Sequence, residues 1–276
     1  MVVGEASIRA FRRRVRAYYR RHGRDLPWRR SRDPYRIMVS EIMLQQTQAD
    51  RVNNFYPKFL RRFPTLSVLA KAPLAEILRA WQGLGYNRRA VFLQKIARRA
   101  ANEYGGRVPQ DPEILATFPG IGHDTAGAIA AFAFNRPIAF IETNIRRVYI
   151  HFFFPRRRRV PDGALLPLIA QTMNHKNPRE WYYALMDYGA MLGAVQKGKK
   201  NPNRRSRHYT RQSRFEGSDR QIRAGIVKLF LAKNALTQGQ IFKTFVEPQE
   251  RIEKILGALE KEGLVSKSGA YYQISV

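Results

Sequence analysis

Residues 118–129 read Phe-Pro-Gly-Ile-Gly-His-Asp-Thr-Ala-Gly-Ala-Ile, the stretch with the clearest chemical meaning in the chain. Gly120 and Gly122 permit a tight turn that leaves backbone N–H groups exposed. The alanine-rich helix expected to open near Asp124 adds its positive end at the same point. With Ile121 and Thr125, these residues make a cradle suited to a phosphate oxygen. A second anion-contacting segment is Lys197–Arg214, which holds eight Lys and Arg and no acid. It reads as a linker or as an arm that tracks phosphates, with Lys199, Lys200, Arg204 and Arg205 as its contacts. The bulk charge agrees: 50 Lys and Arg against 21 Asp and Glu give a formal +29, a field that draws phosphate backbones and releases their counterions. The chain has no cysteine, which excludes a disulfide framework, a thiol nucleophile and any thiolate-bound metal or cluster. No cofactor is expected.

Helices must position these groups. Helical patterning covers Ser40–Tyr56, Ser67–Trp81, Arg88–Tyr104, Asp111–Phe118, Asp124–Phe134 and Thr143–Phe154, separated by short Gly- and Pro-bearing connectors. Ile8, Phe11, Val15 and Tyr18/Tyr19 predict an amphipathic first helix, and two more helices follow around Gly163–Asn174 and Arg179–Leu192. The glycine turn thus lies between a helix ending at Leu115 and another opening at Asp124, the layout of a DNA-binding helix-hairpin-helix. Beyond the basic segment, Ser218–Ala232, Thr237–Phe245 and Pro248–Glu262 predict three helices, and Leu264–Val276 two short strands. That order resembles a winged helix, a module that enters a major groove with its third helix or docks a protein. The expected domains are a helical domain over 1–196 with the hairpin near 113–134, a basic arm over 197–217, and a winged-helix-like domain over 218–276. No apolar run approaches the roughly 20 residues that span a bilayer. The expectation is a cytoplasmic, nucleoid-associated monomer with duplex DNA as partner and no membrane.

Several blocks carry a closer resemblance. Leu26-Pro-Trp-Arg29, Asp33-Pro-Tyr35, Val39-Ser-Glu-Ile-Met-Leu-Gln-Gln-Thr-Gln48, Arg62-Phe-Pro-Thr65 and Trp81-Gln-Gly-Leu-Gly-Tyr86 occur in order, followed by the hairpin, Asn144-Ile-Arg-Arg-Val148 and Leu185-Met-Asp-Tyr-Gly-Ala-Met191. Over roughly Phe11 to Leu192 the chain resembles the MutY-type adenine glycosylases of the helix-hairpin-helix DNA glycosylase superfamily. The fold this implies is mainly α: a two-lobed helical glycosylase fold, here with a small C-terminal winged-helix-like α+β module.

The resemblance also implies a reaction. Such enzymes flip a nucleotide out of the duplex and cut its N-glycosidic bond, using two carboxyl groups. Glu41 matches the general acid that protonates the departing base, in a helix that also carries Leu44. The second carboxylate, which stabilises the cationic sugar, is an aspartate in the family and Glu142 here; the extra methylene moves the charge and adds a torsion. Asn144 and Arg147 match residues that orient this carboxylate or hold phosphate, and a plain surface role suits Arg147 equally. Asp124 stands where bifunctional relatives carry a Schiff-base lysine, so the implied reaction is base excision without strand cleavage. Asp124 is otherwise a helix N-cap, or a third carboxylate in the pocket. Trp28 and Arg29 match pocket residues that stack on and bond to a purine, although Trp28 also suits a core. Tyr183 falls where the relatives place Glu or Gln against the base. Gln46 and Tyr86 match the groups that fill the gap left by the flipped base and wedge the stack.

Two family features are missing. The four cluster cysteines are absent, with Gly193 where the first belongs, and the winged-helix-like segment is expected in place of the C-terminal Nudix-like domain. The first expectation is a monofunctional glycosylase for adenine opposite guanine or oxidised guanine, with no visible basis in the sequence for reading the oxidised-guanine pair. The alternatives are a glycosylase for thymine, uracil or another modified base, and a non-catalytic DNA-binding protein on the same scaffold.

Overall fold

Apolar spacing along the chain yields a series of short helices in the computed structural model, which describes residues 3–196, 200–211 and 213–275. They are α1 (Glu5–His22), α2 (Pro34–Leu44), α3 (Ala49–Arg62), α4 (Leu66–Lys71), α5 (Leu74–Trp81), α6 (Arg88–Glu103) and α7 (Pro112–Ala116). There follow α8 (His123–Phe134), α9 (Thr143–Phe153), α10 (Asp162–Thr172), α11 (Pro178–Val195), α12 (Asp219–Lys233), α13 (Gln238–Phe242) and α14 (Gln249–Lys261). The described strands are β1 (Ala235–Thr237), β2 (Val265–Ser268) and β3 (Tyr271–Ile274), and a 3₁₀ turn over Pro27–Arg30 carries Trp28 and Arg29. The mainly helical class is as expected.

Two expected helices are each split. The helix read over Ser40–Tyr56 ends at Leu44 and restarts at Ala49, because Gln46 takes a left-handed φ of 53° that no α-helix continues. The helix read over Ser67–Trp81 breaks before Pro73, whose ring holds Ala72 extended at ψ 137° and which supplies no N–H.

Two compact units share these elements. The first gathers Met1–Ile37, Gln110–Thr117 and Ile121–Arg211, and the second Met38–Pro109, Phe118–Gly120 and Gln212–Val276. The core of the first is aromatic: Phe11 of α1 sits edge-on to Tyr149 and Phe153 of α9 and to Trp181 of α11. Phe11, Tyr149 and Trp181, with Val15, Ile145, Val148 and Leu185, are buried, Phe153 is half-buried, and together they fix α1 against α11 and α9 against α11. In the second unit Phe59 of α3 packs on Phe63 and edge-on to Trp81 of α5, and α6 lies against α4 and α5.

The C-terminal segment has the three helices and hairpin expected of a winged helix, with one addition. A third strand, β1, pairs antiparallel with β3, so the sheet order is β1-β3-β2. Its three residues are too few to show a strand period. Residues 212–276 group with Met38–Pro109 rather than forming a unit of their own, and α12 packs on α5. The basic segment is partly folded onto the first unit: Pro202–Arg205 form a 3₁₀ turn with Pro202 and Asn203 buried, and Ser206 bridges to Val160. Lys199 lies outside the described residues.

Candidate active site

In the first unit, Glu142 is the residue from which α9 starts. Its Oε1 accepts the N–H groups of Asn144 at 2.7 Å and Ile145 at 2.8 Å, and its Oε2 accepts Asn144 Nδ2 at 3.2 Å. The longer side chain folds back over the helix start, so a glutamate serves as an N-cap where aspartate is the usual choice. Burial pushes the Glu142 carboxyl above the usual carboxylate range; the Asn144 and Ile145 N–H groups and the charges of Arg147 and Arg146 pull the other way without reversing it. Arg147 does not sit on the surface: its Nη1 donates to Asn144 Oδ1 at 2.8 Å and to the Gly189 carbonyl at 2.6 Å. The chain of bonds runs Arg147 to Asn144 to Glu142, so the arginine orients the carboxylate through the asparagine.

Asp124 is not the cap of α8. Gly122 holds that position with an extended backbone, and Asp124 lies inside the first turn, with its Oδ1 accepting the Ile141 N–H at 2.9 Å. It fixes the residue that precedes Glu142 while its charge suits the positive helix end. Thr125 follows it, half-buried, in the same turn.

The residues matched to a base pocket are committed elsewhere in this unit. Trp28 is buried in the core at 3% exposure, so its ring faces protein. Arg29 donates from Nη1 and Nη2 to the two carboxylate oxygens of Asp187 at 2.7 and 2.8 Å. The backbone N–H and Nε of Arg24 complete the carboxylate's shell at 2.9 and 2.6 Å. Burial raises the Asp187 carboxyl, but the bonds and charge of Arg29, with those of Arg24, outweigh it and hold the group below the ordinary range. Tyr183 is buried, its ring stacked on Phe132 at 4.6 Å and under the Arg29 guanidinium at 4.6 Å. An open hollow of about 440 Å³ borders Arg29, Arg24, Arg20, Arg30, Tyr19 and Glu180.

The second unit holds Glu41, Leu44, Gln46 and Tyr86. Glu41 and Leu44 are half-buried on α2, and Gln46 projects from the turn that follows. Gln46 and Tyr86 both take left-handed φ values, 53° and 48°, and no glycine is present to make them cheap. Arg89, at 5% exposure, holds both turns. Its Nη1 donates to the carbonyls of Ile42, Met43 and Gln45 at 3.0, 2.7 and 2.6 Å. Its Nη2 donates to Thr47 Oγ1 and the Gly85 carbonyl, each at 3.0 Å. Burial without a carboxylate draws the Arg89 guanidinium down to about 10, where it is still a cation at neutral pH. That charge closes the negative end of the helix carrying Glu41.

Phe118–Gly120, the first part of the hairpin turn, also belong to this unit and are pinned within it. Gln45 Nε2 donates to the Gly120 carbonyl at 3.0 Å, and Gly120, at φ 76°, leaves no room for a Cβ beside the Phe92 ring. Ile121 and Gly122 belong to the first unit, where Ile121 is buried and Gly122 is exposed with open space where a Cβ would stand.

In the basic segment, Lys200 and Arg204 are exposed, as anion contacts should be. Arg205 departs from expectation: its guanidinium turns inward to the Ile150 carbonyl at 3.4 Å, where burial lowers it, and its own carbonyl accepts the Val160 N–H. The family's iron–sulfur cluster does not fit these residues. A Cβ at Gly193 would lie 2.6 Å from Arg147 Nη1, and Asn201 Oδ1, in the segment that stands in for the cluster loop, accepts Arg147 Nε at 3.3 Å.

Asp187 and Arg89 are the supporting residues that the sequence reading passed over. An aspartate amid Tyr-Tyr-Ala-Leu-Met and Tyr-Gly-Ala-Met is the kind of charge that needs a buried partner. Arg89 falls on the apolar stripe of α6, with Val91, Leu93 and Ile96 also buried.

Residues 39–164 match the family described as HhH-GPD superfamily base excision DNA repair protein. An adenine DNA glycosylase of Mycobacterium tuberculosis (strain CDC 1551 / Oshkosh) is 34% identical over 277 residues, covering 91% of this chain and 89% of that protein. An adenine DNA glycosylase of Rattus norvegicus is 42% identical over 209 residues, 70% of this chain and 40% of that protein. Among solved structures, a thermostable thymine-DNA glycosylase superposes with a TM-score of 0.62 at 28% identity, over 72% of this chain and 95% of that one. The chain belongs to the HhH-GPD superfamily of base excision DNA repair proteins. Within it the chain is a DNA glycosylase, with DNA as its partner. Among the described residues no helix is long and apolar enough to cross a membrane.

Proposed function

We propose that this glycosylase excises adenine mispaired with guanine or oxidised guanine, as a cytoplasmic, nucleoid-associated monomer that leaves the strand intact. The carboxyl of Glu41 donates a proton to the departing base. The C1′–N bond breaks with its electron pair going to the base, and water adds to C1′ and returns a proton to Glu41. The ionised Glu142 offsets the positive charge that develops on the sugar. One observation carries this reading: Glu142 is fixed by two N–H groups and Asn144, with Arg147 behind Asn144, so the family's aspartate position retains an oriented carboxylate. The adenine assignment is supported by the match along 91% of the chain to an adenine DNA glycosylase. Strand cleavage lacks its amine, because Asp124 stands at the lysine position and binds the Ile141 N–H. Phosphates are held at the start of α8, around Gly122 and Thr125, and by Lys200 and Arg204.

A second reading, excision of thymine or uracil, is favoured by the likeness to the thymine-DNA glycosylase and by Tyr183, which replaces a base-contacting Glu or Gln with a buried phenol. Duplexes that each carry one mismatch or lesion decide between them, with base release read before and after alkali. Release of adenine, with strand breaks only after alkali, is expected. Release of thymine or uracil alone selects the second reading, and no release from any duplex leaves a DNA-binding protein on this scaffold.

A further inference from the structure

Within the second unit, the C-terminal segment reaches the residue matched to the strand-opening wedge. Arg220, the second residue of α12, donates from Nη1 to the Tyr86 hydroxyl at 3.1 Å, with its guanidinium 5.9 Å from the ring centre. The Arg89 guanidinium lies 5.5 Å from the centre of the same ring. Arg220 is anchored in turn: its Nη2 donates to the Ser213 carbonyl at 2.7 Å, and Phe215, 54% exposed, lies 6.0 Å from the guanidinium. The connection continues to α14, the third helix of the winged-helix-like segment. Arg251 on that helix donates to the Gly217 carbonyl at 2.8 Å and to Asp219 Oδ1 at 2.7 Å, the residue before Arg220. A side chain in a left-handed loop, bonded at its hydroxyl by one guanidinium and with a second guanidinium near its ring, is held at more than one point.

We propose that Arg220 is a positioning residue for Tyr86, which makes the C-terminal segment part of the strand-opening apparatus rather than a separable appendage. The proposal rests on the reading of Tyr86 as the wedge. A phenol free at its tip swings with its loop, whereas one tied to the start of α12 meets the base stack in a single orientation.

The test is a double-mutant cycle in the full chain, read as the fluorescence of 2-aminopurine at the target position in the enzyme–DNA complex, with affinity for undamaged duplex and Tm measured alongside. Tyr86→Phe and Arg220→Gln should each lower the flipped population roughly tenfold, the loss expected for one charge-assisted hydrogen bond. The double variant should also lose roughly tenfold rather than a hundredfold, since both changes remove one interaction. Arg220→Lys, which keeps a cationic donor, should recover part of the flipped population. Losses that multiply in the double variant, or flipping at the parental level in Arg220→Gln, overturn the proposal. Tyr86→Ala separates the two ideas. If it flips as well as the parent, the wedge reading fails and takes the proposal with it; if it does not while Arg220→Gln does, only the proposal fails.

Discussion

The start of α9 and the end of α2 present opposite solutions to one electrostatic problem. At the start of α9 a half-buried anion, Glu142, collects the unpaired N–H groups of Asn144 and Ile145. At the end of α2 a buried cation, Arg89, collects the carbonyls of Ile42, Met43 and Gln45. Each charge satisfies the backbone groups that a helix terminus leaves unmade, and each matches the local sign of the helix dipole. They differ in what protons do there. Burial raises the Glu142 carboxyl above the usual carboxylate range, whereas Arg89, lowered to about 10, stays charged at neutral pH. The first is suited to chemistry that depends on ionisation, and the second to geometry that must not change.

Glu142→Gln is expected to have the largest effect. The amide keeps the side chain's length but loses the counter-charge, and single-turnover base release should fall by roughly a hundred- to a thousandfold, as when an oriented electrostatic stabiliser is removed. Asp124→Asn should cost only a few-fold, because Asn keeps an acceptor for the Ile141 N–H. The reverse ranking moves the sugar's counter-charge to Asp124.

Arg89→Met comes next. It strands several buried carbonyls at once, and the protein should lose about 2–4 kcal/mol of stability in denaturant titration. Unchanged stability would mean that the turns at Gln46 and Tyr86 are held by other groups.

A pH profile sharpens the contrast further. Because the folded protein favours protonated Glu142, its contribution to stability is present below the ordinary carboxylate range and is lost as pH rises through the raised value. Activity runs the other way, since the counter-charge requires the ionised form. The acid limb of kcat/KM, which reports the free enzyme, should therefore lie above the usual glutamate range and disappear in the residual activity of Glu142→Gln. An acid limb at the ordinary value would assign it to another group.

The smallest effects belong to the basic segment. Neutralising Lys200 and Arg204 together should shallow the log–log salt dependence of duplex binding by about 1–2. Arg205→Gln should leave that slope unchanged, because its guanidinium is turned to the Ile150 carbonyl.

Much of this was legible in the chain, for reasons that differ from residue to residue. The first helix followed from Phe11 and Val15, which lie four apart and are both buried. The hairpin followed from two glycines, and Gly120 does take the positive φ that glycine allows. The break after Leu44 was hidden, because Gln46 adopts a left-handed conformation through tertiary support from Arg89 and no local breaker marks it. The burial of Trp28, Arg29 and Tyr183 was hidden for a related reason. Motif position identifies a residue, but the partner that turns Arg29 inward is Asp187, more than 150 residues away in the chain.

The claim that Glu142 supplies chemistry and Arg89 supplies geometry is tested most directly by reading two signals from one duplex. The duplex carries 2-aminopurine at the target position, and flipping is followed by fluorescence while base release is followed by alkali cleavage. Glu142→Gln should flip the base as the parent does and fail to release it. Arg89→Met should bind the duplex and fail to flip. A Glu142→Gln variant that releases the base at the parental rate, or an Arg89→Met variant with parental flipping, would contradict the account.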